Sequence, residues 1–159
     1  MSILTKNLLL GCSLFLFFQN NFAQENVEKF SFLNPTGTYI LKGKKSGAEI
    51  KGNFAEIRVK LLDDSKIALT TYFNSGYPKY ASDSFIDTLD YSSNSCTYFN
   101  ELDPACKVIF NFMHDEVAII YVFKDDGHDC FFGKGIIATG KINKTYDDVP
   151  VIGSLSKKE

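Results

Sequence analysis

"EIRVKLLDDSKIALTTYF" (56–73) decides how this chain reads. Ile57, Val59 and Leu61 alternate with Arg58 and Lys60, which is the period of a strand with one face buried, not of a helix. "DDS" (63–65) follows, a run of short hydrogen-bonding side chains that turn a chain back on itself. "KIALTTYF" (66–73) then resumes the β-rich composition. Two such runs around a short polar turn make an antiparallel hairpin.

The same grammar extends in both directions. "CKVIFNFM" (106–113) places Cys106, Val108, Phe110 and Phe112 in phase, "HDE" (114–116) turns, and "VAIIYVF" (117–123) returns with Val117, Ile119, Tyr121 and Phe123 in phase. Weaker strands are expected at 37–42, 48–52, 85–91 and 135–143; only "LLDD" and "SFIDTLD" leave room for a helical turn. About eight short strands with close turns imply an all-β, antiparallel, closed or nearly closed barrel, with a β-sandwich as the alternative. "TGTYILK" (36–42) and "ATGKINK" (138–144) resemble each other, each with a glycine two residues before an inward candidate, Tyr39 and Ile142. Their pairing would close the sheet and leave it without a free edge. Two polar stretches, 74–85 and 91–106, read as loops, and the first offers Tyr77, Lys79, Tyr80 and Asp83 as candidate binding residues.

The start of the 159-residue chain has a different character. Lys6 precedes an apolar run from Leu8 to Phe18, and Ala23 is a small residue at a cleavage position. That order is a secretory signal over 1–23, too short for the about 20 apolar residues of a membrane span. "LLGC" (9–12) is the alternative, a lipid-attachment box ending in Cys12. The expected organisation is a linker at 24–35, a β domain at 36–145 and a loose tail at 146–159, in a periplasmic or extracellular setting. Removing 1–23 leaves 16 basic and 19 acidic residues, a balance without the footprint of a nucleic-acid binder.

Export places the remaining cysteines, Cys96, Cys106 and Cys130, in an oxidising compartment. Three pairings exist. Cys106–Cys130 is favoured, because the hairpin around 114–116 carries Cys106 to the rim where "DCFFG" begins, and because a disulfide needs Cα atoms within about 7 Å. Such a bond adds about 3 kcal/mol in the chain-entropy model.

Catalytic chemistry has little to stand on. "KDDGHDC" (124–130) gathers metal-ligand types, but Asp-Gly is ordinary turn chemistry and the calcium-loop and zinc spacings are missing. No metal or cofactor is assigned. His114 and His128 have no serine elbow to serve, and the acid pairs 63–64 and 147–148 sit in turns. "KGKKSG" (42–47) lacks the spacing of a phosphate loop; its lysines suit a soluble hairpin tip.

The C-terminal segment "CFFGKGIIATGKINK", carried by Cys130, Phe132, Gly133, Gly135, Ala138, Gly140 and Lys144, resembles small exported bacterial proteins of the lysozyme-inhibitor-like kind. With Cys106 the likeness covers about the last third of the mature domain, and the signal ending "FAQ" is similar to exported proteins of Bacteroidetes-type bacteria. The resemblance implies a non-enzymatic binding domain whose partner is an envelope or extracellular protein such as a lysozyme-like hydrolase. The inhibitory loop of the better-known inhibitors has no counterpart here. The alternatives are a barrel that carries a small apolar ligand among its 15 phenylalanines and eight tyrosines, and a hydrolase.

Overall fold

A computed structural model describes residues 31–100, 103–122, 136 and 139–153. The strands are β1 Gly37–Leu41, β2 Lys44–Ser46, β3 Glu49–Lys51, β4 Phe54–Asp63, β5 Lys66–Asn74, β6 Ser82–Ser92, β7 Ser95–Asn100, β8 Asp103–Phe112, β9 Glu116–Val122 and β10 Gly140–Tyr146. Eight of them close into an antiparallel barrel in the order β1-β10-β9-β8-β7-β6-β5-β4, while β2 and β3 form a separate ribbon. The segment at 48–52 therefore makes a strand, but not a barrel strand.

The hairpin at 56–73 is β4–β5. Its register runs from Phe54↔Asn74 to Asp63↔Lys66, with a bulge between Leu61 and Asp63. Asp63 Oδ1 accepts from Ser65 N and Ser65 Oγ, both at 2.8 Å, which ties the turn. The backbone N–H of Ser65 also holds the Asp63 carboxyl below the usual range. Ile57 and Val59 point inward and are fully buried, as are Ile67 and Leu69. β8 and β9 pair from Lys107↔Val122 to Phe112↔Val117, with Val108, Phe110, Val117 and Ile119 in the core.

The barrel closes through β1 and β10, where Thr38 pairs with Tyr146 and Tyr39 with Lys144 across a bulge. Tyr39 and Ile142 both face inward, at 0 % and 2 % exposure. The closing strand is Gly140–Tyr146, shifted toward the C-terminus from the expected 135–143. Residue 136 lies in a turn, 139 is irregular, and 135, 137 and 138 lie outside the described residues. The strand thus runs one residue past the expected boundary at 145, because the backbone of Tyr146 is taken up by Thr38.

Two further expectations change. The described residues of the stretch 91–106 are strands around a tight turn rather than a loop. Ser93 and Asn94 take φ of 50° and 59°, the two positive values of a tight hairpin turn, and β6 and β7 flank them. Its serines, threonine and asparagine read as loop composition, yet Tyr91 and Cys96 turn inward and are buried. The segment 85–91 is strand throughout, as expected, with no helical turn. The real loop after β5 is only 75–81, so Asp83 belongs to β6.

At the barrel end near β1, residues 31–35 are bound to the barrel rather than free of it. Leu33 N donates to Asn94 Oδ1 at 3.0 Å, Tyr91 OH donates to Leu33 O at 2.8 Å, and Tyr39 OH donates to Pro35 O at 2.9 Å. Beyond β10, residues 147–153 have no regular structure, and Val149 and Val151 are exposed.

Gly37 is the tight point of closure. Its φ is +147°, and a Cβ there would stand 2.6 Å from the carbonyl oxygen of Tyr146. Gly37→Ala should therefore destabilise the domain by about 1–3 kcal/mol through combined strain and overlap. Urea unfolding of the two proteins checks this, and an unchanged midpoint would show that the β1–β10 seam tolerates a methyl group.

Candidate functional site

Among the described residues, the inward side chains of the barrel pack into one apolar cluster. Tyr39, Phe73, Phe110, Ile57, Ile67, Leu69, Val59, Val108 and Val117 are each fully buried within one apolar cluster. Among the described residues, the clefts lie on the outside of the barrel and at its rim, so chemistry must be sought at the surface.

The first surface feature is the loop 75–81 with the β2–β3 ribbon. Asn74, only 3 % exposed at the end of β5, organises it. Its Oδ1 accepts from Gly76 N at 2.8 Å, and its Nδ2 donates to Tyr80 O at 3.2 Å and Tyr72 OH at 3.1 Å. Ser75 N donates to Ala81 O at 2.9 Å and Tyr80 N to Gly76 O at 2.8 Å. The loop then grips the ribbon: Tyr77 N donates to Ile50 O at 2.7 Å, and Ile50 N donates to Tyr80 OH at 3.0 Å. Glycine is required at 76, where φ is +68° and a Cβ would come 2.3 Å from the Gly52 carbonyl oxygen. The Tyr77–Pro78 peptide is cis.

The outcome is a braced tip that displays aromatic rings. Tyr77 and Tyr80 stand edge to face, centroids 6.4 Å apart, at 46 % and 40 % exposure. Lys51 Nζ lies 6.0 Å from the Tyr77 ring centre, and Lys44, Lys45 and Lys79 are exposed nearby in sequence on the ribbon and loop. Of the four candidates read from the sequence, the loop holds Tyr77, Lys79 and Tyr80 together. Asp83 is elsewhere: it is half-buried on β6 opposite Phe73, and desolvation pushes its carboxyl upward. Asn74 and Lys51 were missed. A buried asparagine at a strand end has a signature only once its neighbours are known.

The second feature is a split between β6 and β7. The strands pair at Tyr91↔Cys96 and Ser92↔Ser95, and no further. Beyond that point the Phe85 and Tyr98 rings stack at 3.8 Å and 14°. A cleft of about 420 Å³ opens there, lined by Thr88, Leu89, Asp90, Cys96, Thr97 and Phe99 among others. A third hollow, of about 570 Å³, lies at the opposite rim from the tyrosines, between Phe32, Asn94, His114, Lys144 and Asp147. His114 Nδ1 there contacts Asp115 Oδ1 at 2.7 Å, and both side chains are almost wholly exposed. Such a solvated pair lacks the buried orientation of a catalytic base.

Among the described residues no three metal-ligating side chains come together, and no helix is long and apolar enough to cross a membrane. The segment 124–130, with His128 and Cys130, lies outside the described residues. Cys96 is a free, buried thiol on β7 rather than a loop residue. Cys106 is buried and disulfide-bonded, with its partner outside the described residues. No family, curated protein or solved structure matches this chain.

Burial pushes the Cys96 thiol from its ordinary 9.0 up to about 12. Burial also raises Tyr91 to about 12, and Tyr39 moves upward for the same reason. In the unfolded chain these groups lose their protons at their ordinary values; in the fold they keep them. The contribution of these groups to stability is therefore fully present below pH 9 and falls as pH rises toward 12. Cys96→Val, which removes one such group, should move the alkaline unfolding midpoint to higher pH in a circular-dichroism titration. A midpoint unmoved or lowered would separate alkaline unfolding from this thiol.

Proposed function

We propose that this chain is an exported, non-enzymatic binding domain that holds an envelope or extracellular protein through its tyrosine tip, with a lysozyme-like hydrolase as the candidate partner. The observation that carries the reading is the exposed Tyr77–Tyr80 pair on a loop fixed by Asn74 and the β2–β3 ribbon. Tyrosine gives large contact area at low entropic cost, and such rings are enriched among the residues that dominate binding energy. A braced loop loses little freedom on docking. Lysines 44, 45, 51 and 79 give the tip a positive field. Glycoside hydrolases work with a pair of carboxylates in a cleft, so a protruding basic, aromatic tip is complementary to that cleft in shape and charge. A ligand carrier is less favoured, because the described inward side chains pack against one another in a single apolar cluster. A hydrolase is less favoured because no paired acid and base stands in a protected site among the described residues.

The test is inhibition of purified lysozyme-type hydrolases by the full mature chain at equimolar concentration. Tyr77→Ala/Tyr80→Ala should weaken inhibition by at least about tenfold, as loss of residues that dominate an interface does. Unchanged fold can be verified by thermal melting. Wild-type protein without effect on any such enzyme would remove the hydrolase, and a double variant as potent as wild type would remove the tip.

We also propose that Cys130 is the partner of Cys106. Peptide mapping without reduction should yield a Cys106–Cys130 pair. Cys130→Ser should lower stability by about 2–5 kcal/mol, the usual cost of losing a native disulfide in a small exported domain. A peptide that joins Cys106 to Cys12 would overturn the assignment.

A further inference from the structure

β6 is paired along one side and, among the described residues, mostly unpaired along the other. It matches β5 at nine successive positions, from Lys66↔Asp90 to Asn74↔Ser82. Its pairing with β7 ends after Tyr91↔Cys96. Tyr91 N donates to Ser65 O at 2.7 Å on the β5 side. Antiparallel alternation then sends the backbone groups of Ser84, Ile86, Thr88 and Asp90 to the opposite edge, into the split. Two of these amides are held by the preceding side chain instead of by a strand: Ser84 N donates to Asp83 Oδ1 and Thr88 N to Asp87 Oδ1, both at 2.7 Å. The edge is thus a row of strand donors and acceptors without a strand partner among the described residues.

Its surroundings define what fits. Ile86 and Phe99, at 51 % and 56 % exposure, flank the split with apolar surface. Asp83, Asp87 and Asp90 supply three carboxylates, and β6 and β7 contain no lysine or arginine. None of the three forms an ion pair with another described residue. Asp87 stands in the inward phase between buried Phe85 and Leu89, yet it is exposed, because β7 has veered away.

We propose that the open edge of β6 receives an extended, lysine- or arginine-bearing segment of a partner protein by strand addition. The segment takes the edge amides and carbonyls of residues 84–90, about 23 Å at roughly 3.3 Å per residue. Its backbone carbonyls replace Asp83 and Asp87 on Ser84 N and Thr88 N. The carboxylates so released pair with the basic side chains of the incoming strand, and Ile86 and Phe99 cover its apolar positions. A second copy of this chain is the wrong occupant, because two β6 edges would bring like charges face to face. The inference concerns a different face from the tyrosine tip and does not depend on it.

The test uses the full mature chain and a capped peptide of about eight residues that alternates lysine with valine. Saturable amide shifts at Ser84, Ile86 and Thr88 are expected in nitrogen-edited NMR spectra, with none from the glutamate–valine counterpart. N-methylation of alternate peptide residues should weaken binding by about tenfold, the loss of one or two hydrogen bonds. Ile86→Pro removes an edge donor that faces away from β5, so the fold should survive while affinity drops by a similar factor. No shifts, equal affinity for the glutamate or N-methylated peptide, or self-association of the chain in sedimentation without peptide would each overturn the proposal.

Discussion

The pairing of β1 with β10 is the constraint on which the rest depends. Without it the sheet would have two long free edges and an exposed interior. Tyr39 is the residue that makes closure favourable. Its ring fills the core beside Phe112, at a centroid distance of 5.9 Å, while its hydroxyl donates to Pro35 O. Lys144 Nζ lies 5.6 Å from the same ring, so the strand opposite contributes a cation as well as a ladder. One side chain therefore joins the closing strands, the core and the stretch that precedes β1.

Much of this was legible beforehand because one face of each barrel strand is buried. Where burial is one-sided, period-2 alternation has to follow, as at Ile57 and Val59 or Val108 and Phe110. The pattern faded where that condition fails. β7 carries serine, threonine and asparagine and borders the split, so "SCTYFN" looked like loop. β2 and β3 bury almost nothing, so composition could not say whether they joined the barrel. Along β10 the alternating phase does not mark where the strand begins; the bulge at Tyr39 and the partner Thr38 decide where it ends. For the candidate site, tyrosines in a Gly-Pro loop were a visible signal. The bracing by Asn74 and the placement of Asp83 on a strand depend on contacts between distant segments, which no local pattern records.

The apolar cluster that the described residues form inside the barrel turns attention to the exterior, where the charge is divided. Lysines gather on the β2–β3 ribbon and the loop 75–81, and aspartates line β6. A nearly neutral total thus conceals two local fields of opposite sign, and local fields are what steer encounters within a Debye length of about 8–10 Å. The tip is braced by hydrogen bonds and β6 is paired along β5, so each can present its groups without first ordering them.

Closure by the two ends of the domain also fixes a timing. β1 is complete at Leu41, but its partner strand is not complete until Tyr146. At 5–20 residues per second, the interval during synthesis is roughly 5–20 s. Throughout it, Tyr39 has no finished barrel to enter and one edge of β1 stands open. A contact so distant along the chain also carries a high loop-closure entropy, which slows folding relative to local hairpins such as β4–β5. In the native barrel β1 is paired on both sides; in the nascent one, for its whole elongation, one side depends on whatever keeps β1 from pairing with a neighbour.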